Sequence, residues 1–333
     1  MNKTFKPSFG LKNPHVQTLY SSIFTRCPWG KKLPKIDFYI EKFIFSDGDF
    51  TECFWYSKPD KENKRPIVIL FHGLTGSYKS PYIQGVMTTL EKNSFRTVLM
   101  HFRGCSGKMN TLARSYHSGE TEDAKEFINH LNKEYSHVKL FAVGYSIGGN
   151  MLLKLLGEVK ESSKISGAVS VSAPMQLNIC ADKINSGLSK FYQYILMKNL
   201  KLSLEEKYSY HDMTSIINID KNEVKKLKTF WEFDDIYTAP VHGFTSVNDY
   251  YEKSSSKQFL KDITTNTLVI HSIDDPFMTP EILPLQDEIS SKVKLEIYQY
   301  GGHVGFISGT LLSPHYWLED RIADYFISLT HIT

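Results

Sequence analysis

Apolar and polar residues alternate from Ile36 to Ser57 on either side of Ser46-Asp47-Gly48-Asp49, the two-residue period of a β-hairpin half-buried along each arm. The pattern then changes. Pro66-Ile67-Val68-Ile69-Leu70-Phe71 is continuously apolar, as befits a strand covered on both faces, and Arg96–Phe102 is a second such run. Pro81–Lys92 between them has helical spacing. Turn-rich loops follow both strands: His72-Gly73-Leu74-Thr75-Gly76-Ser77 and Arg103-Gly104-Cys105-Ser106-Gly107. Thr121–Lys133 puts Ala124, Phe127, Ile128 and Leu131 on one helical face, with acidic residues in its first turn. A strand at Val138–Val143, a helical pattern beginning at Asn150 and a strand at Ile165–Val171 continue the alternation. Such βαβ units predict an α/β fold: a mostly parallel sheet with helices on both faces.

From about Met175 to Asp262 the rhythm breaks. Helical stretches rich in Lys, Tyr and Ser surround an aromatic segment at Phe230-Trp231, and no clear strand is present. Thr267–His271, Val293–Tyr300 and a helix near Tyr316–Leu329 restore the regular pattern. An interval this long exceeds a plain loop. Residues 175–262 therefore read as a helical cap inserted in a single domain spanning 1–333, over the C-terminal edge of its sheet.

With 41% hydrophobic and 23% charged residues, 333 residues can bury a substantial core. A net charge of +3 argues for neither nucleic acid nor an anionic membrane, and short clusters such as Lys31-Lys32 and Lys225-Lys226 read as solvated faces. The 21 Phe and 19 Tyr suit a large apolar pocket as well as a core. Cys27, Cys53, Cys105 and Cys180 are widely separated and form no C-x-x-C pair, and the twelve histidines include no H-E-x-x-H. No metal or cofactor is expected. The first residues lack the apolar core of a signal peptide, and no run of ~18 apolar residues could span a bilayer. The expectation is a cytoplasmic protein of unspecified oligomeric state.

Chemistry concentrates in Gly144-Tyr145-Ser146-Ile147-Gly148-Gly149-Asn150, where a strand stops and a helix begins. Gly-x-Ser-x-Gly in this setting is the signature of a nucleophile elbow. The sharp turn strains the serine, and flanking glycines leave room for the neighbouring strand and helix. The hydroxyl emerges at a helix N-terminus, which favours developing negative charge.

A serine hydroxyl needs a base, and the base an orienting acid. The strand at Thr267–His271 is followed by Ser272-Ile273-Asp274-Asp275-Pro276. Val293–Tyr300 is followed by Gly301-Gly302-His303-Val304-Gly305. The order Ser, Asp, His is that of α/β-hydrolases. The 28 residues from Asp275 to His303 leave room for one helix and one strand. His303, between glycine pairs on a loop, is the candidate base, whereas His271 lies inside an apolar strand and reads as core. Asp275, turned away by Pro276, is favoured over Asp274 as the acid. The backbone amides of Ile147 and Leu74 are the expected oxyanion donors. Arg103, at the same edge as the catalytic loops, could hold a substrate group but reads rather as a structural arginine bonding loop carbonyls, Cys105 reads as a small buried residue, and Asp234-Asp235 as a cap or surface feature.

Several further stretches carry a resemblance: Asn13-Pro14-His15-Val16-Gln17-Thr18, His72-Gly73-Leu74-Thr75-Gly76, Phe102-Arg103-Gly104-Cys105-Ser106 and Tyr116-His117-Ser118-Gly119-Glu120-Thr121-Glu122-Asp123. Phe233-Asp234-Asp235 with Thr238-Ala239-Pro240, Asp274-Asp275-Pro276-Phe277 and Gly301-Gly302-His303-Val304-Gly305-Phe306 complete it. Together they resemble the YheT-like α/β-hydrolases, a branch that includes eukaryotic α/β-hydrolase-domain lipases and fungal medium-chain ethyl ester synthases. The resemblance covers nearly the whole chain. It implies carboxylic ester hydrolysis, on acylglycerols, acetyl esters or medium-chain ethyl esters, with Ser146, Asp275 and His303 as nucleophile, acid and base.

The expected function is thus a serine esterase acting on a small ester or lipid, without metal, cofactor or nucleic acid. No basic amphipathic helix calls for membrane attachment, although transient contact through exposed aromatics suits a lipase. Acyl transfer to an alcohol would use the same triad. A hydrolase fold that has lost its chemistry and serves as a binding protein is the alternative of another class.

Overall fold

The computed structural model describes residues 4–7, 10–24, 35–310 and 312–330. Cys27, Lys31 and Lys32 lie outside the described residues. Eight strands form one sheet in the order β1-β2-β4-β3-β5-β6-β7-β8. The hairpin is β1 (Tyr39–Ile44) with β2 (Phe50–Trp55), and it joins the sheet antiparallel to β4 (Arg96–Met100). The remaining strands, β3 (Ile67–Phe71), β5 (Leu140–Tyr145), β6 (Ile165–Val171), β7 (Thr267–Ser272) and β8 (Val293–Tyr298), are parallel to one another and to β4. Every residue of β3, β4 and β5 is buried, which explains their unbroken apolar sequence. The edge strand β1 keeps the alternation of a half-covered strand.

Two apolar cores lie on the two faces. One takes Ala124, Phe127 and Leu131 of α3 (Glu122–Glu134) and Met151, Leu152 and Leu155 of α4 (Ile147–Val159). The other takes Ile83, Val86 and Leu90 of α2 (Pro81–Lys92) and Ile322 and Phe326 of α12 (Trp317–Thr330). Pro81 opens α2 at a position whose N–H would have no intrahelical acceptor. The strand order reverses at β3, so a crevice opens beyond the C-terminal ends of β3 and β5.

Between β6 and β7 the described residues contain helices only: α5 (Leu177–Ile184), α6 (Ser189–Lys207), α7 (Met213–Ile217), α8 (Lys221–Val224), α9 (Phe230–Phe233), a π-helical turn (Asp234–Thr238), α10 (Ala239–Val241), α11 (Val247–Ser254) and a 3₁₀ segment (Lys257–Asp262). They have a small core of their own that includes Met197, Leu204, Phe233 and Tyr237. Helix α6 is tied down at both ends. Ser189 Oγ donates to the Pro276 carbonyl. The buried Lys207 ammonium donates to Asn110 Oδ1 at 2.6 Å and to the Arg114 carbonyl at 3.2 Å.

The structure adds or changes four features. Asn13 accepts from the His15 and Val16 amides and starts α1 (Pro14–Phe24), an element the apolar pattern did not announce. A short hairpin, β9 (Ile307–Gly309) with β10 (Pro314–Tyr316), follows the histidine loop. No α-helix separates Asp275 from His303. Pro276, Pro280 and Pro284 recur every fourth residue and remove the donors a helix needs, leaving two 3₁₀ turns, Pro280–Ile282 and Gln286–Glu288. Finally, Arg103 is structural but bonds carboxylates, not carbonyls. It grips Asp123 with two bonds of 2.6 and 2.7 Å and reaches Asp47 and Asp49 at 2.8 and 2.9 Å. Burying a guanidinium requires charged partners of this kind.

Candidate active site

Ser146 stands between β5 and α4 with φ +52° and ψ −121°, a strained conformation for a residue with a side chain. The neighbouring glycines make it attainable. A Cβ on Gly148 would lie 2.5 Å from the His72 carbonyl oxygen, and one on Gly144 would lie 2.3 Å from the Gly148 oxygen. The strained residue is held by its amide, which donates to the Val171 carbonyl at 2.8 Å.

The structure brings Ser146, His303 and Asp275 together in one chain of contacts. His303 Nε2 lies 3.0 Å from Ser146 Oγ, and His303 Nδ1 lies 2.8 Å from Asp275 Oδ2. A carboxylate can only accept, so Nδ1 carries the proton and Nε2 accepts from the serine hydroxyl. The other oxygen of Asp275 accepts from the Phe277 amide at 2.8 Å, so this buried carboxylate is bonded on both sides. Phe277 also lays its ring flat on the imidazole. Asp274 points elsewhere: its Oδ1 accepts from the Gly302 amide at 2.9 Å, and burial raises its pKa.

The loop that carries His303 is fixed from several directions. Ser272 Oγ donates to the Gly302 carbonyl at 2.7 Å, and the Val304 amide donates to Ser172 Oγ at 3.1 Å. The His303 amide donates to Thr18 Oγ1 at 2.9 Å. Gln17, fully buried, accepts from the Ile307 amide at 2.6 Å and donates to the Ile307 carbonyl at 2.9 Å. Helix α1 thus backs the histidine from the far end of the chain. Sequence reasoning did not find Gln17 and Thr18 as site-supporting residues; the only signal was their place in the Asn13–Thr18 stretch. Gly302, at φ +56°, passes so close to α1 that a Cβ there would lie 2.5 Å from the Pro14 oxygen.

The loop after β3 lies against Ser146. Among four consecutive amides, that of Gly73 donates to Tyr82 Oη, that of Thr75 to Tyr116 Oη and that of Gly76 to the Gly73 carbonyl. Among the described residues the Leu74 amide has no acceptor. The Ile147 amide is the first of α4 and so lacks a partner within the helix. His72 fixes this loop by donating from Nδ1 to the Gly73 carbonyl at 2.7 Å while Nε2 accepts from the Phe102 amide at 3.1 Å. Burial and the nearby His101 lower its pKa to about 3, so it stays neutral.

These loops, with α5, α6, α9, the π-helical turn and α11, line a cavity of about 650 Å³, reaching from Ser146 and His303 to Leu196, Leu200, Phe230 and Tyr237. Cys105 lines it, but burial pushes its thiol up to about 12, which makes it no competing nucleophile. Asp235 is exposed and Asp234 caps the end of α9, as expected of the pair, but Asp234 also lines the cavity. It accepts from Thr238 Oγ1 at 2.6 Å and Tyr251 Oη at 2.8 Å, and burial lifts its pKa to about 6. Its place on the π-helical turn, invisible in the local pattern, aims it inward. His271 is buried in β7, and burial lowers its pKa to about 4. Among the described residues, no three His, Cys, Asp or Glu side chains converge as metal ligands do, and no helix is long and apolar enough to cross a membrane.

Residues 66–310 match the family model described as the alpha/beta hydrolase fold. The Escherichia coli (strain K12) protein named "Putative esterase YheT" is 40% identical over 96% of this chain and 92% of its own. Phospholipase ABHD3 of Bos taurus is 27% identical over 93% of this chain and 74% of its own. Among solved structures, the Pyrococcus furiosus esterase Pf2001 superposes with a TM-score of 0.57 over 99% of this chain and 98% of its own; at 14% identity this is a likeness of fold. The eight-stranded, mostly parallel sheet and these matches agree: the chain belongs to the α/β-hydrolase fold family, in the YheT-like branch.

Proposed function

We propose that this protein is a serine hydrolase of carboxylic esters, with Ser146 as nucleophile, His303 as base and Asp275 as the acid that orients it. The observation that carries the reading is the unbroken contact from Asp275 through His303 to Ser146, at 2.8 and 3.0 Å. Ser146 Oγ attacks the ester carbonyl as its proton passes to His303 Nε2. The carbonyl oxygen, now negative, accepts from the Leu74 and Ile147 amides; one such donor is typically worth about 10²–10³ in rate. The tetrahedral intermediate collapses, the C–O bond to the alcohol breaks, and His303 returns the proton to the departing oxygen. Water then attacks the acyl-enzyme with His303 again as base, releasing the acid and restoring Ser146. Asp275 holds the imidazole in the required tautomer and stabilises its cationic form throughout.

Residues 175–262 act as a cap that shapes the cavity. The walls it contributes, largely Leu, Ile, Phe and Tyr, suit the acyl chain of a short- or medium-chain ester or an acylglycerol. The names of the relatives, an esterase and a phospholipase, support an ester as the substrate class. The test is turnover of p-nitrophenyl esters of increasing chain length beside monoacylglycerols. A peak at one length is expected, and a flat profile at background would overturn the reading.

A further inference from the structure

The outward face of α6 is apolar. Leu188, just ahead of the helix, and Phe191, Tyr194, Ile195 and Leu202 are 74, 57, 68, 41 and 54% exposed. Their spacing places them along one side of the helix, away from the buried Gln193, Met197 and Leu204. Single exposed apolar residues are ordinary on protein surfaces. Five on one side of a helix and its approach are not, and mark a surface that something covers.

Two further observations say what covers it. The helix and its approach carry Lys183, Lys190, Lys198 and Lys201, with acids only at the two ends, Asp182 bonded to Trp231 and Glu205 and Glu206 in the last turn. Lys190 and Lys198 are exposed beside the apolar row, whereas Lys201 is bonded to the Leu227 carbonyl. The row also continues into the candidate active site. Ile195, exposed on the patch, is at the same time part of the cavity wall, as are Leu196 and Leu200 of the next turns. Beside Phe191, Tyr192 packs on Phe277 with ring centroids 5.0 Å apart, and Phe277 in turn lies on His303. With Ser189 bonded to Pro276 and Lys207 to Asn110, α6 is a fixed rim, and its outer face has a set direction relative to Ser146.

We propose that this face of α6 docks the protein on an anionic lipid surface. Phe191, Tyr194, Ile195, Leu188 and Leu202 enter the boundary between headgroups and acyl chains, and Lys190 and Lys198 meet lipid phosphates. The cavity mouth at Ile195 then opens toward the bilayer, so a lipid ester reaches Ser146 without its chain crossing water. This delivery rests on the ester-hydrolase reading; the docking itself does not.

Vesicle flotation of the full chain tests the proposal without any need for turnover. Wild type is expected to float with vesicles of phosphatidylglycerol mixed with phosphatidylcholine, and less with phosphatidylcholine alone. Combined Phe191→Ser and Leu202→Ser should lower the partition about tenfold or more, given the apolar surface lost. Lys190→Glu with Lys198→Glu should remove the preference for the anionic lipid. Both variants should keep wild-type melting temperature and wild-type hydrolysis of a water-soluble p-nitrophenyl ester. Absence of wild type from both kinds of vesicle would overturn the proposal. So would a dimer in sedimentation that Phe191→Ser and Leu202→Ser turn into monomers. Flotation without ester cleavage would instead leave the docking standing and remove the reading of the site.

Discussion

The Phe277 ring lies parallel to the His303 imidazole, 4.0 Å between centroids and 12° between planes, while its amide donates to Asp275, the carboxylate bonded to the same imidazole. One residue therefore fixes the imidazole in two ways, by stacking and through its carboxylate partner. Phe277→Ala keeps the backbone bond and removes the ring. Because misplacing a reacting group by ~1 Å can cost about 10² in rate, kcat should fall by about 10–10². KM for a short ester should change little. Steady-state kinetics on p-nitrophenyl acetate check this, and an unchanged kcat would show the stacking to be dispensable.

Adjacent aspartates with different partners should separate cleanly. Asp275→Asn puts an amide against His303 Nδ1 and favours the wrong tautomer, so kcat should fall by about 10⁴. Asp274→Asn leaves a carbonyl oxygen to accept from the Gly302 amide and should stay within about tenfold of wild type. The reverse ranking in kcat would transfer the acid's role to Asp274.

Gln17 closes three bonds with the chain near both termini, to the Leu11 carbonyl and to both backbone groups of Ile307. Gln17→Leu leaves these groups buried without partners and should cost about 1–3 kcal/mol for each left unsatisfied. Urea unfolding should show a lower midpoint with an unchanged slope. A midpoint equal to that of wild type would mean water replaces the side chain.

Asp234 gives a pH signature. Its pKa is raised from 3.8 to about 6 in the folded protein. Below pH 4 the carboxyl is protonated in both states. Between about pH 4 and 6 the unfolded chain releases a proton that the folded one keeps, so stability falls as pH rises, and the loss is complete above 6. Asp234→Asn does not titrate. The melting temperature of wild type minus that of the variant should therefore decrease from pH 4 to 6 and then level off. A difference independent of pH would contradict the raised pKa.

Much of this was legible in the chain because it is local. The continuous apolar runs became β3, β4 and β5, Pro81–Lys92 is a helix between those same residues, and the loops following the strands carry Ser146, Asp275 and His303. What was hidden depends on distant partners or on backbone geometry without a sequence period. Thr18 and His303 meet across 285 residues, so neither announces the other. Arg103 looked like a ligand for loop carbonyls because its carboxylates come from the hairpin turn and from α3. Asp234 enters the cavity through a π-helical turn, and α6 faces outward with residues that composition alone would assign to a core.

Ser146 is where the account stands or falls. A fluorophosphonate phosphonylates an activated serine and nothing else in this site, so intact-mass analysis after treatment reads the nucleophile directly. The account predicts one adduct on wild type, located to the peptide containing Ser146, and none on Ser146→Ala with the same melting behaviour. Unlabelled wild type, or a Ser146→Ala variant labelled as fully as wild type, would contradict it.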